Sequence, residues 1–134
     1  MPLTYRIYQD ARMLFVRGEG SITQPEYIET LVAWLADPAY EWCVDALCDF
    51  SAADNTPSLG DLWELVSMLR DRLPPTGPKK LAIVAAKRST FNMARVFEDL
   101  IQVAGIPFAV RVFFDTELAW QWLRPEDERR PDRS

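Results

Sequence analysis

Histidine is absent from this sequence of 134 residues. Its absence removes the commonest general base and the commonest transition-metal ligand, and it excludes serine-histidine and cysteine-histidine hydrolases. Only two cysteines are present, Cys43 and Cys48, and their spacing matches neither a redox pair nor half of a zinc site. We expect both to be small core residues in a reducing compartment. The sequence therefore predicts no metal site and no cofactor.

A basic surface is also missing. The formal net charge is −5 and the pI is about 4.7, so no overall field attracts phosphate backbones. Nucleic acid is therefore not expected as a partner. Charges or prolines interrupt every apolar run before it could span a bilayer, and the first residues lack the pattern of a signal peptide. We expect a cytoplasmic protein with no membrane span.

The sequence does contain an alternation of strand and helix patterns. It opens with two β-rich runs, and Gly18 and Gly20 are expected to break the second. The apolar run Leu81 to Ala86 is typical of a central, parallel strand that is covered on both faces. The predicted strands are 4–8, 12–17, 44–50, 80–86 and 108–114, and the predicted helices follow Thr23, Ser58, Ser89 or Thr90, and Asp115 with Thr116.

This β-β-α-β-α-β-α-β-α order predicts an α/β fold with a single mixed, mostly parallel five-stranded sheet. Residues 1–124 are expected to form one domain. Residues 125–134 are charged, contain two prolines and lack apolar side chains, which predicts a mobile tail. The five tryptophans are too many for full burial in so small a domain, so some should be exposed. Trp120 and Trp122, two positions apart on one helix, point in different directions, so one of them is a candidate for a partner surface, but ordinary partial burial is the preferred interpretation.

Several segments resemble the small bacterial SpoIIAA-like proteins of the wider STAS and SEC14-like group. The resemblance covers nearly the whole chain, and its motifs are mainly structural. The segments are Pro2 to Ile7 with Leu14 to Gly20, Leu81 to Ala85 with Phe91 to Arg95, and Val110 to Asp115 with Leu118 to Leu123.

The resemblance implies a β-α superhelix with helices beside the sheet, and a role in protein interaction or ligand sensing. Anti-sigma-factor antagonists of this group carry an Asp-Ser-Ser-Gly segment with a phosphorylated serine. The corresponding stretch here is Asn55 to Gly60, which keeps a hydroxyl near that place but has Pro57 where the serine is expected. The resemblance therefore does not imply a phosphorylation switch.

Polar loops after three predicted strands should converge at the carboxyl ends of the strands, where open parallel sheets bind ligands. The loops are Asp49 to Ser58, Lys87 to Asn92, and Asp115 with Thr116. Helix capping by Ser58, Ser89 and Thr116 explains part of this pattern. The more specific hypothesis is that the start of the third helix binds an anion together with Lys87 and Arg88. The candidate ligand or anion site comprises Lys87, Arg88, Ser89, Thr90, Asn92, Asn55, Thr56 and Ser58.

Two functions are consistent with these observations. The first is a non-enzymatic regulatory or interaction module that binds a protein partner. A second copy of the chain is one such partner, in a homodimer formed through exposed aromatic surface. The second is a binding protein for a small anionic or apolar ligand or a lipid, with a pocket at the carboxyl ends of the strands under the helix from Phe91 to Phe97. No catalytic constellation is recognisable, so we expect no enzyme activity.

Overall fold

The computed structural model describes residues 2–125, which form one sheet, four α-helices and one 3₁₀-helix. The predicted tail at residues 125–134 lies outside the described residues except for Pro125. The strands are β1 (Leu3–Tyr8), β2 (Met13–Gly20), β3 (Asp45–Ala53), β4 (Lys80–Val84) and β5 (Ala109–Phe113). The helices are α1 (Gln24–Ala36), α2 (Leu59–Arg72), α3 (Arg88–Val103) and α4 (Thr116–Leu123), and the 3₁₀-helix spans Pro38–Trp42.

The five strands lie side by side in the same order as in the sequence, β1-β2-β3-β4-β5. β1 is antiparallel to β2, and all the other neighbours are parallel. The predicted fold class, a mixed and mostly parallel sheet, is confirmed. β4 was expected to be central, but β3 is the middle strand and β4 lies between β3 and the edge strand β5. After Lys80, β4 is nevertheless entirely apolar, because helices cover both of its faces.

Helices α1, α2 and α3 pack on one face of the sheet, and α4 packs on the other. Alternate residues of each strand contact the two helix layers, because neighbouring side chains in a strand point to opposite faces of the sheet. In β4, Leu81 and Ile83 join the larger core under α1 to α3, whereas Ala82 and Val84 contact the cluster around Trp120 of α4. This arrangement gives one thick, three-helix layer and one thin layer.

The helix starts agree with the sequence at α1, α2 and α4 and differ at α3, and the capping residue of α4 differs from one that was considered. Thr23 forms the predicted capping box, and Ser58 accepts a hydrogen bond from the Asp61 amide. The N-cap of α3 is Lys87, two residues before Ser89 and three before Thr90, and it forms no side-chain cap hydrogen bond. The predicted caps Ser89 and Thr90 are wrong, because both already lie inside the helix. At α4 the cap is Asp115, which accepts from the Leu118 amide, and not Thr116.

Gly18 does not break β2 as predicted, since the strand runs through it, whereas Gly20 is the last residue of the strand and has a φ of +64°. The pairing with β3 is irregular between Arg17 and Glu19, on either side of Gly18. A Cβ atom at Gly18 would lie 2.6 Å from the ring of Phe50 and 2.7 Å from Ile22. Gly18 is therefore needed for close packing under α1, and its backbone remains extended.

We expect Gly18→Ala to destabilise the protein by about 1–3 kcal/mol, because the new methyl group overlaps buried side chains. Gly60→Ala is the matched control, since a Cβ there lies no closer than 4.0 Å to Ser58 on the exposed start of α2. The control should stabilise the protein slightly, by about 0.5 kcal/mol. Urea denaturation of both variants measures the difference, and equal stability of the two would contradict this packing role.

Candidate functional site

A cavity of about 140 Å³ lies between the three-helix layer and the sheet. Its walls come from both layers and from the segments that connect them. The sheet contributes Leu3, Leu14, Val16, Ala46, Cys48, Phe50, Leu81, Ile83 and Ala85. The helices contribute Tyr27, Thr30, Leu31, Trp34, Leu62, Leu65, Leu69, Thr90, Met93, Ala94 and Phe97, and the remaining lining residues are Tyr40, Thr56, Pro57, Pro78 and Phe108.

Small side chains explain why the layers do not close completely. Ala46 of β3, Ala85 after β4 and Ala94 of α3 all line the cavity, and three alanines leave the space that larger residues fill elsewhere. Met93 and Phe97 of α3 are accordingly only half-buried, whereas Ile101 of the same helix is fully buried. The cavity thus lies under the segment of α3 where the sequence predicted a pocket.

The cavity has a polar end and an apolar end. Tyr27, Thr56 and Thr90 line it near the carboxyl ends of β2, β3 and β4, and Thr30 lies one turn further along α1. At the opposite end the walls are formed by hydrocarbon and aromatic side chains such as Trp34 and Phe108. A ligand in this space meets hydroxyl groups at one end only.

No charged side chain lines the cavity within the described residues. Burial raises the pKa of Tyr27 to about 12, and the neighbouring Cys48 thiol contributes in the same direction. Burial likewise raises the pKa of Cys48 to about 12, with a smaller effect of Asp49. Both groups are neutral at pH 7, so Cys48 is a thiol and not a reactive thiolate. The cavity is therefore an uncharged environment.

Tyr40 lines the apolar end and is the largest fully buried side chain of the described core. Its hydroxyl has no hydrogen-bond partner among residues 2–125. Burial also raises the pKa of this phenol. Gly77 packs directly on the ring, because a Cβ there would lie 2.7 Å from a Tyr40 ring carbon, and its φ of +113° also favours glycine.

The polar residues predicted for the site fall into three groups. Thr56 and Thr90 line the cavity. Asn55 and Ser58 have structural bonds, since Asn55 exchanges two hydrogen bonds of 2.8 Å with the backbone of Ile22 and Ser58 caps α2. Lys87, Arg88, Ser89 and Asn92 are exposed at the start of α3, outside the cavity lining.

The three polar loops do converge at the carboxyl edge. Lys87 Nζ lies 2.7 Å from the Asp54 carboxylate, which joins the first two loops. Phe91 stacks on Phe114 with ring centroids 4.0 Å apart, which brings the third loop against α3. Because Lys87 already has an acidic partner, the anion site at Lys87 and Arg88 gains no support from this geometry and stays a prediction.

Sequence analysis missed the contribution of α1 and of the segment after it. Neither Tyr27 nor Tyr40 was among the predicted site residues. No local pattern distinguishes a tyrosine beside a cavity from one in a packed core. The sequence offered one indication of the cavity, which is the set of small residues that line it: Ala46 of β3, Ala85 after β4 and Ala94 of α3.

Comparison with known proteins adds information about the fold. No family model and no curated protein matches the chain. A solved structure does match it: an uncharacterised protein of the DUF3478 family from Shewanella loihica, which has a SpoIIAA-like fold. The sequences are 22% identical, the match covers 90% of this chain and 91% of the other, and the TM-score is 0.56. The chain has a SpoIIAA-like fold.

This SpoIIAA-like sheet and its helices confirm the resemblance stated from the sequence. Within residues 2–125, none of the helices has both the length and the apolar character that crossing a bilayer requires. In the same range no group of three or more histidine, cysteine, aspartate or glutamate residues could hold a metal ion. The cavity under α1 to α3 is a candidate binding site of this SpoIIAA-like chain.

We expect Tyr40→Phe to stabilise the protein by about 1 kcal/mol, because it removes a buried hydroxyl without a partner. Tyr5→Phe is the matched control, since the Tyr5 hydroxyl donates a 2.9 Å hydrogen bond to Asp37. The control should lose about 1 kcal/mol. Thermal unfolding distinguishes the two, and a clear loss of stability in Tyr40→Phe would show that this hydroxyl has a stabilising partner.

Proposed function

We propose that this protein is a non-enzymatic, cytoplasmic binding module that holds one small, mainly hydrocarbon molecule between α1, α2, α3 and the sheet. The observation that carries the proposal is the uncharged cavity of about 140 Å³. A ligand there contacts all three helices of the thick layer. Its presence would change how they pack, which is a means of regulation through a protein partner.

The size of the cavity limits the ligand. A cavity of roughly 150 Å³ lined by aliphatic and aromatic residues stays dry and binds benzene. Pockets for drug-sized ligands occupy roughly 300–1,000 Å³. At about 140 Å³, this cavity has room for one ring or a short chain but not for a complete lipid. Of the two ligand classes predicted from the sequence, a small molecule and a lipid, the volume of the cavity favours a small molecule.

The state of the lining groups supports a binding role over catalysis. Acid-base or nucleophilic chemistry needs a group whose pKa lies near the working pH or a nucleophile that is activated. Burial raises the pKa values of Tyr27 and Cys48 to about 12, far from neutrality. Neither group is suited to proton transfer or attack at pH 7.

Toluene is a suitable probe for the cavity. We expect wild-type protein to bind toluene, as seen in methyl resonances of Leu65 and Ile83 in an NMR titration. Ala94→Leu should fill the cavity, weaken toluene binding at least tenfold and raise the stability by about 1 kcal/mol. Ala36→Leu, at the exposed end of α1, is the control and should change neither property. Unchanged binding in Ala94→Leu, or no binding by the wild type, would refute the proposal.

A second copy of the chain is the partner that the surface of α2 favours. Leu59 and Trp63 lie one turn apart on this helix and are 60% and 42% exposed. The first turn of the helix carries Asp61, and the last turn carries Arg70 and Arg72, with Asp71 paired to Arg70 at 3.5 Å. Antiparallel pairing of two α2 helices about a two-fold axis would bring opposite charges together around the apolar residues.

This pairing predicts a homodimer that depends on α2. Light scattering at high protein concentration should give the mass of two chains, and Trp63→Glu should give the mass of one. Trp42→Glu is the matched control, because Trp42 is 64% exposed but lies in the 3₁₀-helix, and it should leave the dimer intact. A monomer mass for the wild type at all concentrations would rule out this contact.

A further inference from the structure

We infer that the cavity selects an uncharged amphipathic molecule, whose single hydroxyl or carbonyl group pairs with Tyr27 while its hydrocarbon part lies toward Trp34 and Phe108. This inference rests on the proposed function and deepens it. The proposed function requires only an apolar ligand, whereas the inference specifies a polar group, its place and its lack of charge.

Tyr27 supplies the polar contact. Its ring lies in the cavity wall beside Phe50, with ring centroids 6.1 Å apart, and its phenol interacts with the Cys48 thiol. Both neighbours line the cavity as well. In residues 2–125 the structure gives the Tyr27 hydroxyl no hydrogen-bond partner. A half-buried phenol that stays protonated can donate one hydrogen bond and accept another, so it suits a neutral hydroxyl or carbonyl group.

Thr90 and Thr56 place further oxygen atoms at the same end. Thr90 is buried, and its hydroxyl donates a 3.1 Å hydrogen bond to the Lys87 carbonyl oxygen. Its donor is thus engaged, but its oxygen can still accept a hydrogen bond. Thr56 lines the cavity from the loop after β3. A ligand hydroxyl at this end therefore has both a donor and acceptors within the lining.

The opposite end determines the orientation of the ligand. Trp34 and Phe108 line it with aromatic surface, and Leu69 of α2 adds an aliphatic side chain. Tyr40 is the polar residue there, but its hydroxyl is buried under Gly77 and has less than 1 Å² of accessible surface. A polar ligand group at this end would lose its hydration without gaining an accessible partner.

Charge excludes acids from the cavity. Burying a carboxylate or phosphate without a cation costs several kcal/mol, and no cationic side chain is among the lining residues that the structure describes. Lys87, a basic residue at the carboxyl edge, is paired with Asp54 at 2.7 Å and exposed to solvent. Fatty acids and phosphorylated ligands should therefore bind more weakly than alcohols of the same size.

Three probes with the same ring test these points: toluene, benzyl alcohol and benzoate. Their affinities are measured by NMR titration in wild-type protein and in Tyr27→Phe. We expect Tyr27→Phe to weaken benzyl alcohol binding about fivefold, the effect of one neutral hydrogen bond. Toluene binding should change by less than a factor of about two, because the ring is kept. Benzoate should bind the wild type at least tenfold more weakly than benzyl alcohol.

Two controls separate the hydroxyl contact from other effects. Thermal unfolding should show that Tyr27→Phe is as stable as the wild type or more stable, since the lost hydroxyl has no protein partner. Arg88→Ala should leave benzyl alcohol binding unchanged, because Arg88 is exposed at the start of α3. Loss of binding in Arg88→Ala would move the polar contact to the basic residues outside the cavity and overturn the inference.

The outcomes distinguish this inference from the proposed function. Toluene binding with no effect of Tyr27→Phe on benzyl alcohol keeps the apolar site and refutes the Tyr27 contact. Benzoate binding as strongly as benzyl alcohol refutes the selection against charge. Equal weakening of toluene and benzyl alcohol in Tyr27→Phe refutes a hydrogen bond and indicates a change of shape. Failure of all three probes to bind refutes the proposed function, and the inference fails with it.

Discussion

The order of the strands controls the rest of this structure. Because β2, β3, β4 and β5 are neighbours in sequence order and parallel, each connecting helix crosses to the next strand in the same direction. With one hand of crossover, α1, α2 and α3 must all lie on one face. A doubly wound sheet, by contrast, reverses its order and opens a crevice at the reversal point. This sheet has no reversal, and its cavity lies between the helix layer and the sheet.

The other face of the sheet depends on α4 alone. Trp120 packs there against Met13, Leu47 and other residues of the smaller cluster. At the end of α4, Arg124 Nε donates a 2.8 Å hydrogen bond to the buried Asp45 carboxylate, and Arg124 also bonds to the Ala11 carbonyl oxygen. Breaking such a buried pair typically costs about 3–5 kcal/mol, because the remaining charge has no compensation. The thin layer is therefore held by the apolar cluster around Trp120 together with the Arg124–Asp45 ion pair.

Local sequence patterns were sufficient to predict most of the helices and strands of the fold. The Thr23–Glu26 capping box and the Ser58 cap correctly predicted the starts of α1 and α2. The errors occurred where tertiary contacts outweigh local preference. A glycine at position 18 predicts a break in the strand, yet Gly18 lies within β2. The position requires glycine because Phe50 and Ile22 occupy the space that a side chain would need. α3 begins at Arg88, without the hydroxyl cap that sequence analysis requires of a helix start.

The site was predictable only in part, for a related reason. Thr56 and Thr90 follow strands, so their place at the carboxyl edge could be inferred from topology. Tyr27 could not be assigned, since its side of the cavity is created by the packing of α1 over β3. Tryptophan exposure shows the same limit: the surface residues are Trp42 and Trp63, whereas Trp120 is buried and Trp122 is half-buried. Which tryptophan is exposed depends on which helix lies above it.

An empty cavity lowers the free energy of unfolding of the protein. At about 24 cal/mol per Å³, a cavity of about 140 Å³ corresponds to about 3 kcal/mol, a large share of the 5–15 kcal/mol that holds a domain folded. A larger side chain at Ala46 or Ala94 would recover part of this energy. Departures of this kind from good packing are expected at functional sites. A molecule that fills the space restores the missing contacts, so the occupied protein is the more stable form and its helices are held more firmly.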